Sequence, residues 1–110
     1  MRLLTRPEEL VLIAVWKLRQ NAYSVTIRDF LNRITGKGWS FGSVYDPLNR
    51  LEKKELLESY DSGPTKVRGG RAKRMYRLTA AGLRELEDVK SLQLAVWNEV
   101  PELAPEFQKA

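Results

Sequence analysis

The chain of 110 residues contains no cysteine and no histidine. Without cysteine there is neither a disulfide nor a thiolate metal site. Without histidine the chain lacks the usual general base near neutral pH and a frequent zinc ligand. Together the two absences remove the familiar nucleophile–base pairs and nearly all zinc sites. A carboxylate pair or a lysine remains available for chemistry, but no acidic cluster has a suitable spacing. The sequence therefore reads as a protein that is not an enzyme and needs no cofactor or metal. It also lacks an apolar run approaching the length of a membrane span, and the start, Met1-Arg2-Leu3-Leu4-Thr5-Arg6-Pro7, has no signal-peptide core or cleavage site. The expectation is a cytoplasmic, single-domain protein with no membrane partner. At 43% hydrophobic and 30% charged, the composition is that of an ordinary globular domain.

What is present is a local excess of positive charge. Nineteen Lys and Arg stand against fourteen Asp and Glu, a net charge of +5. Six of those basic residues, and no acidic one, lie in Lys66-Val67-Arg68-Gly69-Gly70-Arg71-Ala72-Lys73-Arg74-Met75-Tyr76-Arg77; without them the balance is thirteen to fourteen, or −1. Gly69 and Gly70 suit a tight turn. From Lys73 onward Tyr76 and Leu78 alternate onto one face, the period of a half-buried strand. A basic finger braced by a strand suits a polyanion, of which the DNA backbone is the commonest. The plain alternative is a solvated loop that only aids solubility.

Thr5-Arg6-Pro7-Glu8 has the form of a capping box, and a helix should run from there to about Arg19. Its residues Leu10 to Trp16 and Leu18 leave little polar face, so part of its surface is expected to meet a second subunit. Ser24 or Thr26 can cap a second helix to about Thr35, with Ile27, Phe30, Leu31 and Ile34 on one face and Gly36 as its stop. Ser40 is the N-cap for a third helix with Val44, Leu48 and Leu51 as its buried stripe. Pro47 is a misfit there, since an interior proline costs about 3 kcal/mol, and the regular helix is expected to begin near Ser43 or Val44. The rest of its surface carries Ser43, Tyr45, Asp46, Asn49, Arg50, Lys53 and Lys54, donors and acceptors of the kind a groove-reading helix needs. A strand over Leu57-Glu58-Ser59-Tyr60 should pair with Lys73 to Leu78. Thr79 then caps a fourth helix from Ala80 to about Val100, whose stripe includes Leu83, Leu86, Val89, Leu94, Val96, Trp97 and Val100. From Ala80 to Ala110 three basic residues face six acidic ones, a net −3 that suits a protein partner and not DNA.

Three helices followed by a two-stranded hairpin with a basic tip is the layout of a winged helix-turn-helix, mainly α with a small β-hairpin (α+β). The third helix would enter the major groove and the wing would lie on the backbone or in the minor groove.

Gly42-Ser43-Val44-Tyr45, Leu48-Asn49-Arg50-Leu51-Glu52, Leu56-Leu57, Gly69-Gly70-Arg71 and Tyr76-Arg77-Leu78-Thr79-Ala80-Ala81-Gly82, in this order and spacing, resemble the PadR family of bacterial transcriptional regulators. Ala22-Tyr23, Val25 and Ile27 are similar to the family's lead-in to its second helix, with Ser24 where a glycine is often found. The resemblance covers most of residues 8 to 86. It implies a homodimeric repressor with an N-terminal winged helix over residues 1–79, a dimerisation helix over 80–100 and a tail over 101–110, matching a short branch with a reduced dimerisation region. Carried over by position, Ser43, Tyr45 and Asn49 would lie at the DNA surface, with Arg71 and Lys73 on the wing. With the sequence's own basic and capping residues, the candidate DNA contacts are Ser40, Ser43, Tyr45, Asn49, Arg50, Lys66, Arg68, Arg71, Lys73 and Arg74. The candidate dimer contacts are Leu12, Trp16, Leu86, Val89, Leu94 and Trp97.

Several of these residues carry two readings. Tyr45 can meet a phosphate through its hydroxyl or pack beside Phe41. Arg50 can touch DNA or pair with Asp46 or another neighbour on its helix. Trp97 can be packing, or it can hold a small aromatic effector at the dimer interface, as interface aromatics do in some small members of the resembled family. Trp16 and Trp39 read as core or interface anchors. The expected partners are double-stranded DNA and a second copy of the chain, with the effector as a further candidate. The competing function is a winged-helix adaptor that sets its basic wing against an acidic protein surface.

Overall fold

The computed structural model describes residues 3–63 and 73–103. Lys66, Arg68 and Arg71 of the wing, with Gly69 and Gly70, and the tail from 104 onward lie outside the described residues. The elements run α1 (Arg6–Leu18), a 3-10 turn (Arg19–Asn21), α2 (Ser24–Thr35), α3 (Phe41–Lys53), β1 (Leu57–Asp61), β2 (Arg74–Leu78) and α4 (Ala80–Asn98). The fold is the expected α+β arrangement of four helices and one hairpin.

The capping box at the start of α1 forms as its spacing predicts. The Thr5 N–H donates to Glu8 Oε1 at 2.8 Å and the Glu8 N–H to Thr5 Oγ1 at 3.3 Å. Of the apolar run that follows, Val11, Leu12, Ala14 and Val15 are buried, whereas Ile13 and Trp16 are exposed. Leu12 is thus not a dimer contact: its side chain is spent entirely inside its own protomer's core, on the stripe that four- and three-residue spacing shares with Glu8 and Val15.

α2 is capped differently from expectation. Tyr23, not Ser24 or Thr26, is the N-cap, and Thr26 enters as the third helical residue whose hydroxyl accepts from the Tyr23 N–H at 3.1 Å. Gly36 closes the helix at φ +67°, a conformation that favours glycine. Trp39 brackets the following turn onto α2, its N–H donating to Asn32 Oδ1 and its indole N–H to Thr35 Oγ1.

α3 begins at Phe41, earlier than Pro47 suggested, because Ser40 and Ser43 cap each other reciprocally and fix the first turn. Pro47 sits inside the helix, and its ring is fully buried beside Leu48. That packing offsets the hydrogen bond it cannot make. The turn after α3 places Glu55 at φ +61°. The start of α4 docks on this turn. The Thr79 hydroxyl donates to the Glu55 carbonyl at 2.7 Å and the Thr79 N–H to the Leu56 carbonyl at 3.1 Å. Gly82 is required there, since a Cβ on it would overlap the Leu56 carbonyl.

β1 and β2 pair antiparallel with Leu57 opposite Leu78 and Asp61 opposite Arg74. The Tyr76 N–H donates to the Ala22 carbonyl at 2.9 Å, which ties the hairpin to the α1–α2 connection. One core results, built from Val11, Leu12 and Val15 of α1, Ile27 and Leu31 of α2, Val44, Leu48 and Leu51 of α3, and Leu57 and Tyr76 of the hairpin.

Glu8 is the charged side chain buried in this core, with only 1% of its surface exposed. While Oε1 completes the capping box, Oε2 accepts from Lys54 Nζ at 2.6 Å and lies 3.5 Å from Arg50 Nε. Burial alone would raise the carboxyl's pKa; the Lys54 ammonium and the Thr5 donors outweigh it and hold the pKa below the ordinary carboxylate value of 4.5. A carboxyl with a depressed folded pKa contributes stability that is present above its unfolded pKa and lost as pH falls through the folded one. Stability should therefore decline below about pH 4.5. Lys54→Met leaves the carboxylate underpaired; it should cost about 1–3 kcal/mol at neutral pH and raise the Glu8 pKa. Urea unfolding and a carbon-detected NMR titration of Glu8 check both, and an unchanged pKa would show that Lys54 does not hold the charge.

Candidate nucleic-acid interface

The stripe that buries Val44, Pro47, Leu48 and Leu51 leaves the opposite face of α3 to solvent, carrying Ser43, Tyr45, Asp46, Asn49, Arg50 and Lys53. Ser40 and Ser43 are exposed, but their hydroxyls are engaged with each other 3.0 Å apart and with the first-turn amides. Asn49 is exposed, and its amide makes no hydrogen bond within the described residues. It is a free two-way donor and acceptor at mid-helix, the pattern that matches an adenine edge.

Tyr45 packs beside Phe41, and its hydroxyl turns to the start of α2. Its ring lies 6.5 Å from that of Phe41, and its hydroxyl donates to Ser24 Oγ at 3.3 Å. The Arg28 guanidinium stacks on Phe41 at 4.1 Å, so a row of side chains joins the starts of α2 and α3. Arg50 pairs with neither Asp46 nor another α3 residue; with Lys54 it is drawn to Glu8 on α1, because a buried carboxylate attracts more strongly than an exposed one.

Among the described residues of the basic run, strand alternation sends Arg74 and Arg77 to different faces. Arg74 shares a face with Tyr76, turned toward α3, where its Nη2 reaches Glu52 Oε1 at 2.9 Å. Arg77 is on the other face, paired with Glu58 at 2.7 Å and stacked on Tyr60 at 4.7 Å. Lys73 reaches across to α2, its Nζ donating to the Tyr23 hydroxyl at 3.3 Å and lying 4.5 Å from that ring.

Between the start of α2, the middle of α3 and β2 these groups enclose a cavity of about 160 Å³, lined by Tyr23, Ser24, Tyr45, Lys73, Arg74 and Tyr76. The Tyr76 hydroxyl is buried and has no partner among the described residues. A hydroxyl in that state costs about 1–3 kcal/mol. Its burial also pushes the phenol pKa up from the ordinary value. Tyr23, Ser24 and Tyr76 are absent from the site expected from sequence. Tyr76 sits on the strand's inward face and reads as core, while Tyr23-Ser24 reads as a pattern break between helices.

A second surface is apolar. Leu86 and Val89 of α4 are half-buried against α1, but every residue from Ser91 to Val100 is exposed, including Leu94 at 56% and Trp97 at 58%. A cleft of about 700 Å³ runs between α1 and α4, with Leu10, Ile13, Trp16, Leu86 and Trp97 on its walls. The Arg19 guanidinium stacks on Trp16 at 3.7 Å. Among the described residues no group of three His, Cys, Asp or Glu side chains could hold a metal ion, and no helix is long and apolar enough to cross a membrane.

The model of the transcriptional regulator PadR-like family matches residues 12–88. The chain belongs to this family. Solved PadR structures agree with it in fold. A PadR family transcription regulator from Clostridium difficile is 31% identical, covering 82% of this chain and 91% of that one, with a TM-score of 0.63. A PadR family regulator from Eggerthella lenta is 27% identical over 83% of this chain and 77% of that one, at a TM-score of 0.66. A PadR-like regulator from Bacillus cereus is 26% identical over 83% and 86%, at 0.67. Comparison with curated proteins gave no match.

In this PadR-like regulator Glu52 is the carboxylate that neutralises Arg74 beside the polar face of α3. Glu52→Gln should release that guanidinium and tighten binding to a mixed-sequence DNA duplex by about threefold, the scale of an exposed ion pair. Fluorescence anisotropy at fixed salt measures this; weaker binding would mean that Glu52 orders Arg74 usefully and does not merely compete for it.

Proposed function

We propose that this chain is a homodimeric transcriptional repressor that reads a pseudo-palindromic operator with α3 and grips the backbone with its basic wing. The observation that carries the reading is the meeting of Tyr45 on the exposed face of α3 with Lys73 and Arg74 at the start of β2 around one cavity, so that a reading helix and phosphate-seeking cations share a surface. Asn49 reads a base, and the wing cations, Lys66, Arg68 and Arg71 with Lys73 and Arg74, supply sequence-independent affinity. The exposed apolar end of α4 supports the dimer, with Trp16, Leu94 and Trp97 meeting the second copy and Leu86 and Val89 bracing α4 against α1. The cleft between the two tryptophan-bearing helices suits a flat aromatic effector lodged beside Trp97.

Two experiments test the proposal. Binding to DNA selected from a random pool should fall log-linearly with salt, and Lys73→Ala should lower the slope by about one. Asn49→Ala should leave the slope alone and flatten preference at one base position. Two α3 helices related by a two-fold axis should read half-sites about 10 base pairs apart, or a multiple of that. Inserting five base pairs between them should return affinity to the non-specific level. Undiminished binding would mean that monomers bind independently.

The dimer is tested at Leu94, whose exposure means that a charge there does not disturb the protomer's core. Leu94→Glu should weaken self-association by roughly 2–3 kcal/mol, since a buried contact would acquire an unpaired carboxylate. Sedimentation equilibrium measures this, and an unmodified protein that is monomeric at micromolar concentration removes the dimer from the proposal.

A further inference from the structure

We propose that the cavity between α2, α3 and β2 is a built oxyanion seat that takes one backbone phosphodiester of the bound DNA. The inference rests on the DNA-binding reading above and assigns one group of the DNA to one place in the protein. Four observations converge on it. The six lining residues contribute three phenolic hydroxyls, one serine hydroxyl, an ammonium and a guanidinium, and no carboxylate. The first turn of α2 opens there, with Ser24 as its first residue; amides in that position have no intrahelical acceptor and carry the positive end of the helix dipole. That turn contains no acidic residue to satisfy them internally. Tyr76, another lining residue and only 1% exposed, carries a buried hydroxyl without a partner among the described residues.

Such a set is rich in donors and holds no anionic acceptor. The polar contacts already present are donor-rich in the same way: Lys73 Nζ rests on the Tyr23 hydroxyl at 3.3 Å, and Tyr45 donates to Ser24 Oγ at 3.3 Å. The nearest carboxylate, Glu52, takes one arm of Arg74 at 2.9 Å from outside the lining. A tetrahedral phosphate oxyanion supplies acceptors in several directions, so that Tyr76, Lys73 and the α2 amides could all donate to one group. At about 160 Å³ the cavity has room for one such group. Its rim is formed by exposed Tyr45 and Lys73, on the same side as Asn49, where the backbone flanking a groove occupied by α3 would pass. A free phosphate shares this chemistry; the position beside α3 favours the diester.

Nitrogen-resolved NMR on the full chain, with a mixed-sequence duplex and with inorganic phosphate against chloride at matched ionic strength, separates the two sources. The duplex should shift the Ser24 and Val25 amides. Tyr76→Phe should bind the same duplex about tenfold more weakly with an unchanged salt slope, because it removes a hydrogen bond and no charge. Its melting temperature should not fall, since it also deletes an unsatisfied hydroxyl. If Tyr76→Phe fails to fold, Ser24→Ala removes a hydroxyl from the same wall and should weaken binding about threefold. Duplex binding that leaves the two amides unmoved and is indifferent to Tyr76→Phe overturns the seat while leaving DNA binding intact. If the unmodified protein binds no duplex, the functional reading itself fails. In that case phosphate shifting Ser24 and Val25 in the unmodified protein but not in Tyr76→Phe retains an oxyanion seat for a free ligand, and no shift overturns it.

Discussion

The carboxylate of Glu8 joins the first helix of the core to the helix that carries the candidate reading face. A charge this deeply buried is tolerated only when nearly all its lone pairs are occupied. Glu8 divides its two oxygens accordingly, one to the Thr5 amide that starts α1 and the other to Lys54 and Arg50 at the end of α3. The pairing is asymmetric. Lys54 and Arg50 are partly exposed and would be rehydrated if released, whereas Glu8 has no water to turn to. The anion therefore determines where the cations go, and the last turn of α3 is held to α1. The same pairing draws Arg50 and Lys54 toward α1, while Asn49 and Tyr45 stay exposed on the polar face of α3.

Much of the architecture was legible because it rests on local rules. The Thr5–Glu8 capping box, Gly36 as a helix stop, Ser40 as a cap and the three- and four-residue stripe of α3 all depend on near neighbours. The errors arise where a distant contact decides. Sequence can place Glu8 in a capping box but cannot show that Lys54, forty-six positions away, closes on its other oxygen. Leu12 and Ile13 are both apolar, and only the packing of α1 against α3 shows that the first is core and the second surface. Pro47 looked like a breaker because its missing hydrogen bond is visible in sequence, while the burial of its ring is not.

The candidate site was half legible for the same reason. Basic residues and exposed helix positions announce themselves by type, so Lys73, Arg74, Tyr45 and Asn49 could be named in advance. Tyr76 could not, because a tyrosine on the inward face of a strand has the pattern of a core residue, and its hydroxyl acquires meaning only when the start of α2 is placed opposite. The described part of the basic run shows what counting along the chain leaves out. Counted along the chain it is one cluster, but the strand sends Arg74 and Arg77 to opposite faces, each to its own glutamate.

These constraints make the two candidate surfaces mechanically dependent. The end of α3 is tied to α1 through Glu8, and the turn just after it is tied to the start of α4 through Thr79 and the close approach at Gly82. Glu9, the next residue after Glu8, lines the cleft between α1 and α4 along with Leu10 and Ile13. A displacement of α1 toward or away from α4 must carry Glu8 with it, and Lys54 either follows, moving the end of α3, or leaves a buried charge underpaired. One helix, α1, thus borders the cleft and, through Glu8, holds the end of α3. The part of α4 beyond Lys90 is free of these ties, every residue of it to Val100 being exposed, and this is where a partner could bind without first disturbing the core.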